Sequence, residues 1–412
     1  MKLTVVTYGT EGDTRPLAAL CRALMDAGHE THLLADRATL GSAAALGVSA
    51  SGLSGDIRAA LMPGATLGSV VSGHTRFNAT AKALASIANA STHAWMQEVT
   101  DASAGCDALI VSGLAAFVGL SVAEYRRVPV LGAGLIPLTP TSRFASPFLP
   151  PGKVPRWLNR VSHRLVNGML WRAFRRATNA ARAEVCGLAP RAGVWTDHPM
   201  LYGVSPNLLP RPRDWPANAT VCGQWRAAAG DWTPPAHLAH FLAAGEPPLY
   251  IGFGSMAGFD RQQLVTVLTE AAAGRRVVFY PGWSGVDTAL LPGNFCVVGE
   301  TPHDWLFARA SAVVHHGGSG TTHSACRAGV PSVVVPFAGD QFFWAHRVAA
   351  LGVAPTAIDG RRLRATALKE AIAYAERDDV KARAAALGRR MGEEKGLATA
   401  VDEVERLLAQ HH

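Results

Sequence analysis

No stretch of this 412-residue chain reaches the roughly 18–20 consecutive apolar residues that a membrane-spanning helix needs. The six cysteines, Cys21, Cys106, Cys186, Cys222, Cys296 and Cys326, are scattered and form no Cys-x-x-Cys pair. That excludes the usual zinc spacing and a disulfide framework, and leaves them as small core residues. The phosphate-binding pattern GxxxxGK(S/T) is missing, and no GxGxxG follows a strand with a ribose-binding acid downstream. A P-loop enzyme and a dinucleotide oxidoreductase are therefore not expected. Charged residues make up only 17% of the chain against 49% hydrophobic, which excludes disorder. The start, Met1 to Thr7, lacks the length and cleavage site of a secretory leader and reads as a strand, so a cytoplasmic protein is expected.

What is present suits two domains, each large enough for its own core. The net charge of +8, with a pI near 9.4, comes mostly from arginines spread along the chain. No nucleic-acid motif accompanies it, so nucleic acid is not an expected partner.

The first strand ends near Thr7 and leads through Tyr8–Arg15 into a helix, which Pro16 would open at its first position. Leu17, Leu20, Cys21 and Leu24 repeat at helical spacing, and Gly28 ends the helix. A strand at Thr31–Ala35 completes a unit of a parallel sheet. Further strands are expected at Asp107–Val111 and Pro129–Gly132, joined by a helix, with two helices and loops over 55–100. The proline-rich segment Arg211–Pro216 reads as an exposed linker. It divides the chain into an N-terminal domain over 1–210, a linker over 211–222 and a C-terminal domain over 223–412, whose last helix is free to pack back on the first domain. In the second half, strands are expected at Leu249–Phe253, Arg276–Phe279, Phe295–Val298, Ala312–His315 and Ser332–Val335, with helices over about 365–410. Two such parallel-sheet domains leave a cleft between the carboxyl ends of their strands, where ligands bind.

The most informative segment is Val314-His315-His316-Gly317-Gly318-Ser319-Gly320-Thr321-Thr322. A strand passes through glycines into a helix, whose free N–H groups and partial positive charge suit an anion. Ser319, Thr321 and Thr322 add hydroxyl donors, and a histidine at the strand end can donate to a phosphate oxygen. No DxD-type carboxylate pair lies beside this cradle, so a diphosphate would be held there without a metal. About twenty residues on, Asp340 and Gln341 follow the next strand on the same sheet edge, where a carboxylate beside an amide suits sugar hydroxyls. The neighbouring His316 faces either the donor or the core, and Phe342, Phe343 and Trp344 either pack the helix or line the pocket.

HHGGSGTT, then AGVP, then PFAGDQFFWA resembles the donor signature of the family 1 glycosyltransferases, above all the bacterial antibiotic glycosyltransferases and the sterol glucosyltransferases. The resemblance is specific over about 250–352 and includes Gly252–Met256 and Pro302–Leu306. It implies the GT-B fold, an α/β class of two Rossmann-like domains facing across a cleft. It implies donor diphosphate contacts from His315, Gly318, Ser319, Gly320 and Thr321, with Ser255 beside them. Asp340 and Gln341 would hold the sugar, and Glu300-Thr301-Pro302 would frame the base. Plant members carry a Trp at the position of Glu300, which stacks on uracil; this chain departs there, and Trp283 is the substitute to consider. In the antibiotic group the loop after the first strand resembles GxRGDxxP, with its Asp the proposed base. Asp13 matches that Asp and Pro16 the proline, while Glu11 replaces the usual Arg. Arg15 is placed to pair with Asp13 and lower its pKa. A cap for the following helix is the other role open to Asp13.

The resemblance thus implies an inverting transferase that moves a hexose from UDP-glucose, or secondly a dTDP-sugar, to a hydroxyl of a small apolar acceptor such as a sterol, polyphenol or antibiotic aglycone. It needs no cofactor. A nucleotide-sugar epimerase of the same architecture and a non-catalytic nucleotide-sugar-binding helper are the alternatives. Acceptor-binding residues are not identifiable, but loops over 55–95 and 136–175 are the expected source. Residues 151–182 interleave Lys153 and seven arginines, Arg156 to Arg182, with Trp157, Leu158, Val161, Leu165, Leu170, Trp171 and Phe174. Such a helix either lies on an anionic membrane or packs its apolar side on the domain.

Overall fold

The computed structural model describes residues 1–61, 77–227, 232–256 and 259–410. Two all-parallel sheets organise them. In the first, β1 (Lys2–Val6), β2 (Glu30–Asp36), β3 (Ala50–Leu53), β4 (Ala108–Val111), β5 (Val130–Gly134), β6 (Met200–Tyr202) and β7 (Ala219–Val221) lie in the order β3-β2-β1-β4-β5-β6-β7. In the second, β8 (Leu249–Gly252), β9 (Val277–Tyr280), β10 (Phe295–Val297), β11 (Ala312–His315) and β12 (Ser332–Val334) lie in the order β10-β9-β8-β11-β12. Central strands such as Ala108-Leu109-Ile110-Val111 are buried along their whole length, because helices cover both faces of a parallel sheet. Each sheet reverses its winding once, between β1 and β4 and between β8 and β11. The loops leaving those strands part there and open a crevice.

The helices that position the site are α1 (Glu11–Asp26), α2 (Phe77–Ala102), α3 (Ala116–Arg126), α4 (Asn159–Cys186), α5 (Ala236–Ala243), α6 (Arg261–Ala272), α7 (Ser319–Arg327), α8 (Gln341–Ala350), α9 (Ala365–Ala375), α10 (Asp378–Gly392) and α11 (Gly396–Leu408). Helix α1 begins five residues before Pro16, not at it. Thr10 sits at the helix cap and its carbonyl accepts from the N–H groups of Asp13 and Thr14, while the Asp13 carboxylate reaches back to the Thr10 N–H at 2.8 Å. This reciprocal capping overrides the proline signal and sets the start. Gly28 follows the helix end at φ +90°.

The expected linker over 211–222 is neither wholly exposed nor outside the domains. Ala219–Val221 is β7, the last strand of the first sheet. Trp215 is buried, and its indole donates to the Thr139 carbonyl at 3.0 Å. Asp214 accepts from the Thr141 hydroxyl and the Ser142 N–H, both at 2.7 Å. The polar, proline-rich composition serves internal hydrogen bonds here. Trp215 and Leu208 join Phe343, Trp344 and Met391 in an apolar cluster that binds the two sheets together. The last helix, α11, lays Ala400, Val404 and Leu408 against Leu17, Leu20 and Leu24 of α1, and His29 meets Glu405 at 3.0 Å.

Candidate active site

The loops at the carboxyl ends of both sheets enclose one cleft of 2610 Å³. On the first domain, the turn after β1 aims Asp13 into it. Gly9 makes this placement feasible, since a Cβ there would lie 2.2 Å from the Asp13 carboxylate oxygen. Loss of water around the half-buried Asp13 carboxyl raises its pKa to about 6, against the opposing hydrogen bonds from Thr10. The expected pairing with Arg15 does not occur. Arg15 instead lies 3.5 Å from Glu11 and 3.7 Å from Glu300 of the second domain. Asp13 is therefore less acidic than an ordinary aspartate rather than more, which suits a proton acceptor near neutral pH.

On the second domain, the loops after β8 and β11 meet at the winding reversal. His316 lines the cleft; His315 does not. His315 is the last residue of β11 and is wholly buried, with its Nδ1 accepting from the Gly317 N–H at 3.1 Å and its Nε2 unpartnered. His315, the ring expected to meet a diphosphate, is thus turned away from the cleft and its neighbour His316 toward it, because neighbours along a strand point to opposite faces. The His316 ring fits between two glycines: a Cβ at Gly318 would come within 2.5 Å of it, and one at Gly254, itself at φ +58°, within 3.0 Å. Its Nδ1 has no partner, and burial lowers its pKa to about 4, so it is neutral. His303, also on the cleft, stacks on Phe307 at 4.3 Å and is held at about 3 by burial and by the nearby charge of Arg15. Gly318 caps α7, whose first residues Ser319, Gly320 and Thr321 line the cleft. The N–H groups of that first turn lack helical acceptors. Ser255 and Thr301 line the cleft as well.

After β12, Asp340 opens α8. Burial raises its pKa to about 6, while the Trp344 indole donates to it at 2.9 Å. The Gln341 side chain is already engaged: its Oε1 accepts from the N–H groups of Phe337 at 2.7 Å and Ala338 at 3.1 Å. Phe343 and Trp344 belong to the interdomain core, and only Phe342 of that aromatic trio lines the cleft. Trp283 lines it too, with the Arg58 guanidinium of the first domain 5.8 Å from its ring centre. Among the described residues, no group of three or more His, Cys, Asp or Glu is placed to hold a metal ion.

Two facing parallel-sheet domains with a glycine-rich helix start on one side and a desolvated carboxylate on the other have close counterparts. The chain is 33% identical to a sterol 3-beta-glucosyltransferase of Arabidopsis thaliana, over 99% of this chain and 68% of the relative. This chain belongs to the family 1 glycosyltransferases. A sterol 3-beta-glucosyltransferase of Emericella nidulans is 32% identical over 99% of this chain, which spans only 30% of that relative; for a second Arabidopsis thaliana sterol 3-beta-glucosyltransferase the share is 64%. The model of the erythromycin biosynthesis protein CIII-like C-terminal domain matches residues 267–405. Among solved structures, the glycotransferase of kitacinnamycin superposes with a TM-score of 0.69 at 21% identity, covering 98% of both chains. The glycosyltransferase VinC in complex with DTDP gives 0.66 at 20% identity over 100% of both. Both are GT-B folds like this one.

In this glycosyltransferase the first-domain wall of the cleft is largely apolar. Leu114, Phe117, Leu138, Phe148, Phe174 and Trp195 line it. Phe117 anchors an aromatic group, 5.1 Å from Trp171, 5.4 Å from Phe174 and 6.1 Å from Trp195. Part of this wall comes from the expected 136–175 segment. Of the 55–95 segment, Ile57 lines the cleft, and residues 62–76 lie outside the described residues. Leu114, Phe117 and Trp195 fall outside both expected loops. The signal for the first two was their place just after β4, a strand flanking the winding reversal; Trp195 carried no sequence signal.

Proposed function

We propose that this transferase moves a hexose, glucose from UDP-glucose ahead of a dTDP-sugar, to a hydroxyl of a rigid apolar acceptor of sterol or polyketide type. The observation that carries this reading is the position of Asp13. It is a desolvated carboxylate between an aromatic-lined pocket and the start of α7. In the proposed reaction, Asp13 takes the proton of the acceptor hydroxyl. The oxygen attacks the anomeric carbon from the side opposite the diphosphate, the C–O bond to the diphosphate breaks, and configuration inverts. His316 and the first-turn N–H groups of α7 receive the charge that builds on the departing diphosphate. They do so in a partly water-excluded site, where such donors count for more than in water. Asp340 is the sugar-facing carboxylate in this reading. Thr301 borders the nucleoside in this reading, and the Trp283 ring, with the Arg58 guanidinium over it, lies beside the base. The six buried free cysteines suit a reducing compartment such as the cytoplasm.

The test is to incubate the protein with UDP-glucose or dTDP-glucose and a panel of sterols, flavonoids and macrolide aglycones, and to follow the products by mass spectrometry. A product heavier than the acceptor by one hexose, with the β-configuration at the anomeric carbon, is the expected result. Release of a rearranged sugar from donor alone would favour an epimerase, and no turnover with any pair would favour a binding protein.

A further inference from the structure

Helix α4 carries more apolar surface than the first domain can cover. One side packs inward through Val166, Trp171 and Phe174. Yet of the six large hydrophobic side chains exposed among the described residues, four lie on or just before this helix: Trp157 (79% exposed), Val161 (42%), Leu165 (63%) and Met169 (48%). They recur every fourth residue, so they form a second stripe down the outer face. Arg156, Arg160 and Arg164 run beside that stripe, and Arg172, Arg175 and Arg176 continue it toward the C-terminal end; all six are exposed. No Asp or Glu occurs from 151 to 183, and among the described residues none of the six arginines pairs with a carboxylate. Exposed apolar residues between unpaired cations match an anionic lipid surface, where the rings and chains enter the acyl boundary and the guanidinium groups meet the phosphates. The stripe also adjoins the cleft. Arg160, Arg164, Asn167 and Leu170, on the next face of the same helix, line it.

We infer that α4 docks the protein on an anionic bilayer surface, with the apolar stripe immersed and the mouth of the cleft turned toward the lipid. The helix would lie on the membrane rather than cross it, since no described helix is long and apolar enough to span one. An acceptor dissolved in the bilayer would then reach the aromatic wall without passing through water.

The docking is tested apart from catalysis, by sedimentation with vesicles of phosphatidylcholine alone and of phosphatidylcholine containing about a third phosphatidylglycerol. The parent protein is expected to bind the anionic vesicles, not the neutral ones, and to be released by salt. Leu165→Asp with Met169→Asp should abolish binding. Arg172→Gln, Arg175→Gln and Arg176→Gln together should lower it roughly a hundredfold, at about fivefold for each cation near the surface. None of these five side chains lines the cleft, so UDP affinity measured by calorimetry should stay at the parent value and serves as the check on folding. Failure of the parent to bind anionic vesicles, or equal binding by the folded variants, overturns the inference. A dimer that dissociates on Leu165→Asp, without vesicle binding, would assign the stripe to a second copy of this chain instead.

Discussion

Asp13 and Asp340 line one cleft from opposite domains, and the charge of Asp13 adds to burial in raising the pKa of Asp340. Both carboxyls titrate near 6, each chiefly because burial disfavours its ionised form. Replacing Asp13 by Asn removes the repulsion and leaves the burial. In Asp13→Asn, Asp340 should therefore lose its proton at a lower pH than in the parent, observable by carbon NMR of labelled carboxyl groups. An unchanged Asp340 titration would mean that the two groups do not sense one another in solution.

Asp13→Asn should also lower kcat by about 10²–10⁴-fold, the usual contribution of a general base. Asn can still accept the Thr10 N–H and cap α1, so the fold and the affinity for UDP should be kept. The base works only when ionised. With a pKa of about 6, parent activity should rise as pH increases through 6 and level off above it, with about a tenth of the plateau one unit below. A flat profile from pH 5 to 8, or a variant within threefold of the parent, would remove Asp13 from that role.

The two adjacent histidines should behave differently. His316→Ala removes the cleft-facing ring and should weaken UDP binding about ten- to hundredfold, the worth of a hydrogen bond to a charged group. His315→Ala instead strips the Gly317 N–H of its buried acceptor, at about 1–3 kcal/mol of stability. Calorimetry and thermal melting separate the two effects. Equal loss of UDP affinity in both, with no melting change in His315→Ala, would reverse the assignment.

In the proposed reaction Gln341 bears on the sugar only through the loop it holds. Gln341→Ala leaves the N–H groups of Phe337 and Ala338 without their acceptor, so it should cost about 1–3 kcal/mol in thermal unfolding as well as reduce turnover of UDP-glucose. UDP itself should still bind, because its diphosphate is assigned in this proposal to α7 and His316. A variant with parent stability and impaired turnover would mean that the amide acts on the hexose directly.

Charge on the leaving diphosphate is assigned to His316 and backbone N–H groups, so turnover should survive EDTA. Loss of activity with EDTA, restored by Mg²⁺ or Mn²⁺, would contradict that assignment.

Much of this protein was legible in its sequence. Parallel strands buried on both faces read as apolar runs, and the glycines before Ser319–Thr321 mark a turn from strand into helix. Both signals are local, and so are the ends of the strands, whose shared edge gathers Asp13, Ser255, His316 and Asp340 around one cleft. Other features depend on what arrives from far along the chain. His315 and His316 carry the same chemistry, and only packing of the β8–β11–β12 region decides which ring is sealed in and which is left facing the cleft. Arg15 was free to neutralise Asp13 until its own helix placed Glu11 at 3.5 Å and the second domain brought Glu300 to within 3.7 Å of it. The segment over 211–222 has a linker's composition, yet β6 offers it an open strand edge and the interdomain core a place for Trp215. The stripe on α4 is the same case in reverse. The sequence shows a helix with apolar residues on two sides, and only the folded domain, by covering one of them, leaves the other to water.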